Sequence, residues 1–122
     1  MRVIEQETIN AIRSIAAGTR SRWQKANMSA EAQLCPWGFA GSVVVRLHGN
    51  PIARLGHDMT GQVREIALSD GGWQTVTTKS RLNAIASEFG IQGVYQRQFQ
   101  WFMDNGDSFC DWSRQEVNPC SL

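Results

Sequence analysis

A chain of 122 residues with a net charge of +1 and a sequence pI near 7.8 is neither a strongly basic nucleic-acid binder nor an acidic mimic of one. Hydrophobic residues at 42% and charged residues at 19% exclude a disordered chain, and the length fits one domain with its own core. No apolar run approaches the roughly 20 residues that span a bilayer, and the start of the chain lacks the basic and apolar regions of a signal peptide. The expected place is therefore the cytoplasm.

The first predicted element is a helix from about Ile4 to Ala17. Ile4, Thr8, Ile12 and Ile15 share one side, Ile9 and Ala16 widen the stripe, and Gly18 supplies a stop. Residues 18–41 give no firm pattern: a basic stretch, Thr19 to Lys25, precedes Pro36, Gly38 and Gly41. Ser42 to His48 reads as a strand. A turn at Gly49-Asn50 would return Ile52 to Leu55 antiparallel, with Leu47 opposite Ile52 and Arg46 opposite Ala53. Gln62 to Leu68 alternates as a third strand with Ile66 and Leu68 inward. Asp70-Gly71-Gly72 then turns the chain, and Trp73 to Val76 is expected to pair back.

A second helix has the clearest pattern: Leu82, Ile85, Ala86 and Phe89 recur at helical spacing, Thr77 or Thr78 provides the cap, and Gly90 the stop. A long strand from about Val94 to Met103 follows, with Tyr95, Phe99, Trp101 and Met103 on one face and Gln96, Gln98 and Gln100 on the other. Asn105-Gly106 makes a hairpin turn, Ser108 to Trp112 is the return strand, and little orders the tail from Ser113 to Leu122. The expected fold is one α+β domain: an antiparallel sheet of about five or six strands with two main helices packed on one face.

Chemistry concentrates between Gly71 and Asn83. With Thr78 as cap, Lys79, Ser80 and Arg81 form the first turn, where two cations oppose the helix dipole at about 0.3–1 kcal/mol each. A phosphate or a partner's carboxylate there would reverse that cost; side chains pointing into water would merely tolerate it. Trp73 after two glycines is either a stacking platform or a lid on the core. The candidate binding residues are thus Trp73, Thr77, Thr78, Lys79, Ser80, Arg81, Asn83 and, from the later strand, Arg97.

Catalytic signals are weak. His48, His57 and Asp58 would have to converge to form a site, and no nucleophile, zinc or phosphate-loop motif is present. Asp104-Asn105-Gly106-Asp107 lacks the spacing of a calcium loop. Cys35, Cys110 and Cys120 are odd in number and unpaired in spacing, which reads as reduced thiols and not as a disulfide framework or zinc site. No metal, cofactor or catalytic residue is expected.

Three segments carry a resemblance: Trp23 to Ser29, Leu47 to Ala53, and Gly72 to Asn83. Their "W-x-x-x-N-T", "L-H-G-x-x-I-A" and "G-W-x-T-x-T-T-K-x-R-L-N" patterns are similar to a family of small uncharacterised proteins of tailed bacteriophages, over roughly residues 23 to 109. Met28 stands where that pattern has Thr. The resemblance implies a phage or prophage source and the host cytoplasm as setting, and it transfers no functional residue. Three functions follow in order: a non-enzymatic protein that binds a host protein or ribonucleoprotein complex through an exposed patch of Lys79, Arg81 and neighbouring aromatics, such as an inhibitor of a CRISPR-type defence; a nucleic-acid-binding module using the same helix start with Trp73 and Arg97; and a small enzyme with a site around His48, His57 and Asp58.

Overall fold

In the computed structural model, which describes residues 2–117, the first helix, α1, runs Val3–Ala16. Ile9, Ile12 and Ile15 bury as the helical spacing requires. Glu5, one turn before Ile9 on the same stripe, is buried with them. Its Oε1 accepts from the Arg2 backbone N–H at 3.3 Å, closing the first turn.

The unpatterned stretch after Gly18 forms a hairpin, β1 (Arg22–Lys25) and β2 (Met28–Gln33), turning at Ala26-Asn27. The inward positions of β2 are the small Ala30 and the buried Met28, so the strand gives only a faint alternation of apolar residues. Met28 sits in the core, which explains an apolar side chain there. β3 (Gly41–Leu47) and β4 (Asn50–His57) form the next hairpin. Here the expected register is wrong. The turn residues are His48-Gly49, both at positive φ (52° and 81°), and Leu47 pairs with Asn50 and Arg46 with Pro51. Two positive φ values make the hairpin turn whose twist matches the strands. A bulge next to Pro51, which has no N–H for the ladder, then brings Val45 opposite Ala53.

β5 (Val63–Leu68) pairs with β4, and Ile66 and Leu68 face inward as expected. Gly61, at φ 87°, lets the β4–β5 loop pass under the end of α1: a Cβ there would stand 2.9 Å from the Ala16 carbonyl oxygen. Trp73 to Val76 does not pair back as a strand. Helix α2 (Val76–Phe89) begins instead, capped by Thr75, whose Oγ1 accepts from the Thr78 N–H at 3.1 Å. The cap lies two or three residues earlier than the sequence pattern suggests, since Val76 is solvent-facing and hides the start. Leu82, Ile85 and Phe89 fill the core, and Gly90 at φ 69° ends the helix.

The expected long strand from Val94 is broken. Gln98 and Phe99, both at positive φ (52° and 66°), fold it into a hairpin of β6 (Val94–Arg97) and β7 (Gln100–Met103), so Tyr95 faces Phe102 and Gln96 faces Trp101. Tyr95, Phe99, Trp101 and Met103 therefore do not share a face. Ser108 makes a single bridge to Phe102 and no return strand. Past Ser113, β8 (Arg114–Glu116) adds to the free edge of β5 and Val117 is buried, so this part of the tail is ordered by the sheet. Pro119 and Cys120 lie outside the described residues.

The strands form a six-stranded antiparallel sheet in the order β1-β2-β3-β4-β5-β8, with β6-β7 as a separate two-stranded sheet. α1 packs on β1 to β3, and α2 packs on α1, β4 and β6. Both helices thus cover one face, as the expected α+β arrangement has it. They run parallel, tied near their starts by Glu5–Arg81 and near their ends by Arg13–Glu88.

Candidate binding cleft

The turn before α2 is rigid for local reasons. Asp70 Oδ1 accepts from the Gly72 N–H at 2.8 Å, its Oδ2 accepts from the Gln74 amide, and its carbonyl accepts from the Trp73 N–H. Asp111 in turn accepts from the Asp70 N–H at 3.1 Å. This frame holds Trp73 outward with 69% of its surface exposed. Beside it opens a cleft of about 400 Å³, between the first turn of α2 and the tip of the β3–β4 hairpin. Leu47 and Ile52, both buried, close it from below; Trp73, His48, Asn50, Thr75, Thr77 and Thr78 surround it. The arrangement offers one aromatic plane, an apolar floor and hydrogen-bonding groups, with no Lys, Arg, Asp or Glu in the lining. His48 Nε2 lies 3.3 Å from the Asn27 side-chain nitrogen, and its backbone N–H donates to the Asn27 carbonyl at 2.8 Å. Asn27, His48 and Trp73 thus gather the three resembling segments at one end of the molecule.

Of the residues expected to bind, Trp73, Thr77 and Thr78 line this cleft. The others do different work. Lys79 is the fourth helical residue, beyond the first turn, and reaches Gln96 Oε1 at 3.4 Å. Arg81 is not on the surface: 7% is exposed, and its Nη1 donates to Glu5 Oε2 at 2.8 Å. Ser80 donates to the same oxygen at 2.6 Å. The exposed patch built from Lys79 and Arg81 therefore does not exist, and the charge misfit that singled out Arg81 is resolved by a buried partner 76 residues away. Asn83 braces the backbone of Val94, donating to its carbonyl at 2.9 Å and accepting from its N–H at 2.7 Å. Arg97 ends β6, exposed and away from the cleft.

Glu5, Thr75 and Asn50 were not expected at a site, and His48 was expected only in a catalytic group with His57 and Asp58. Glu5 leaves a signal, an acid at helical spacing from Ile9 and Ile12. The place of His48 and Asn50 at the cleft follows only from the observed hairpin register.

Burial raises the Glu5 pKa, but the hydrogen bonds from Ser80, Arg81 and the Arg2 backbone together outweigh it and hold the carboxyl below its ordinary value of 4.5. Asp58 is also held low, chiefly by the Thr60 hydroxyl, within the β4–β5 loop. His48 precedes β4 and His57 ends it, roughly 20 Å or more apart along an extended strand. His48, His57 and Asp58 therefore do not converge on one pocket. No group of three or more His, Cys, Asp or Glu among the described residues stands together as a metal site. No helix among them is long and apolar enough to cross a membrane.

Fold and cleft together define a small α+β protein with an aromatic-rimmed recess that no Lys, Arg, Asp or Glu lines. Over residues 1–118 the chain matches the family model of the Kyanoviridae Gp96 protein, and it belongs to that phage family. Searches of curated proteins and of solved structures found no match.

Proposed function

We propose that the chain is a non-enzymatic phage accessory protein that works in the host cytoplasm by docking on a host protein complex, as an inhibitor of a nucleic-acid-based, CRISPR-type defence would. The observation that carries this reading is Trp73, held outward on a rigid turn at the rim of the cleft. Folding gains nothing from exposing a tryptophan, while burying it against a partner stabilises a complex by about 3 kcal/mol. The cleft has neither lysine nor arginine in its lining. That favours a protein side chain over a phosphate backbone as its occupant, because nucleic-acid affinity comes largely from cations. Of the cations in the nucleic-acid reading, Arg81 is buried against Glu5, and neither Lys79 nor Arg97 lines the cleft.

Affinity capture from nuclease-treated host lysate tests the reading. One partner complex should be retained by the wild-type chain and lost with Trp73→Ala. Retention by both, or loss on nuclease treatment, would contradict it. Expression of the chain in a host that targets an incoming phage should raise plaque formation by that phage. A captured partner outside any defence system would remove the anti-defence part and leave the docking site standing.

A further inference from the structure

The sheet face turned away from both helices carries a second, unrelated arrangement. Strand pairing puts Arg22, Glu31, Val44, Arg46, Pro51 and Arg54 on this face. Two adjoining hollows share Arg46. One, of about 350 Å³, lies between Arg22, Glu31 and Arg46. The other, of about 290 Å³, is walled by Trp37 and Trp112 over Val44 and Pro51, with Arg46 and Arg54 beside it. Neither hollow shares a residue with the Trp73 cleft.

The tryptophans are held in place. The Arg114 guanidinium lies 5.3 Å from the centre of the Trp37 ring. Gly56 makes room for the loop that carries Trp37: a Cβ there would stand 2.9 Å from the Phe39 ring and 3.3 Å from the Trp37 ring. Trp112 has φ 61°, a region that large side chains rarely adopt, fixed by its N–H donating to the Leu68 carbonyl at 2.8 Å, and 41% of it is exposed. Arg54 is preset too. It donates to Ser42 Oγ at 2.9 Å, Gln33 Oε1 at 3.2 Å and the Leu34 carbonyl at 3.3 Å.

Glu31 pairs with Arg46 at 3.1 Å, which leaves Arg22 and Arg54 as the uncompensated cations of this groove, in a chain whose net charge is only +1. A polyanion with planar groups complements it. The Trp37–Trp112 hollow is at the small end of ligand pockets, the size for one ring and its sugar and too small for a folded ligand. We infer that this sheet face binds single-stranded nucleic acid, with one base between Trp37 and Trp112 and phosphates at Arg54 and Arg22. Stacking and cations together are the usual composition of such sites. A duplex keeps its bases out of reach, and a run of Asp and Glu alone has no ring for the two tryptophans.

Fluorescence anisotropy with a labelled oligothymidylate of about 12 nucleotides, within the site sizes such proteins cover, tests this. Between about 50 and 200 mM salt, log affinity should fall against log salt with a slope of about −1.4, for two phosphates on a single strand. Trp112→Ala should weaken binding about tenfold or more. Arg22→Glu, on an exposed edge strand, should lower the slope by about 0.7 or more. Circular dichroism melts establish that each variant is folded. Absence of binding at the lower salt would overturn the inference. So would equal affinity for a duplex or for polyglutamate, or binding by folded Trp112→Ala and Arg22→Glu indistinguishable from wild type.

Discussion

Arg81 turns from a candidate ligand-binding residue into a structural one because its partner is distant in sequence. Breaking a buried pair by removing one charge leaves the other unsatisfied, at about 3–5 kcal/mol. Glu5 and Arg81 side chains are 5% and 8% exposed, so water offers little relief. Glu5→Gln should therefore lower unfolding free energy at neutral pH by about 3 kcal/mol, read from urea unfolding. The pH dependence has a definite sign. A carboxylate whose folded pKa is depressed stabilises the fold above its unfolded pKa, and the gain is lost as pH falls through the folded value. Wild-type stability should thus decline below about pH 4.5, and the part due to Glu5 should vanish from the Gln variant. Lys79→Glu changes a partly exposed side chain with one long hydrogen bond and should shift stability by no more than about 0.5 kcal/mol. Arg81→Glu should instead unfold or severely destabilise the chain, by setting two carboxylates together.

Among the elements, α1, α2, β3 and β5 were legible because their apolar residues repeat at the period of the structure they form. β1 and β2 were not, since β2 buries Met28 and Ala30 between polar outward positions and so reads as a loop. The β6–β7 hairpin was missed because its turn, Gln98-Phe99, lacks the glycine or asparagine that positive φ favours. That strain predicts its own relief. Gln98→Asn combined with Phe99→Gly should raise unfolding free energy by about 1 kcal/mol per residue, measured by thermal melts. The cap of α2 can be checked the same way. Thr75→Ala removes the oxygen that holds the Thr78 N–H and should cost about 1 kcal/mol, whereas Thr77→Ala should cost less than about half of that.

At the scale of the molecule, the site was half legible. Trp73, Thr77 and Thr78 were identifiable from their own neighbourhood, while the facing wall, Leu47, His48, Asn50 and Ile52, depends on a hairpin register set by a bulge. The two sheet faces then differ in what they carry. One is sealed by α1 and α2, whose edge meets the hairpin tip at the Trp73 cleft; the other carries the arginine and tryptophan groove. Docking through the cleft is the central claim, and its most direct test is the affinity of one captured host partner for wild-type, Trp73→Phe and Trp73→Ala chains by calorimetry, with melting temperatures alongside. A loss of about 2 kcal/mol or more is expected for Ala, a smaller loss for Phe, and unchanged melting temperatures. Equal affinities across the three chains, or losses that track only a fall in melting temperature, would contradict it.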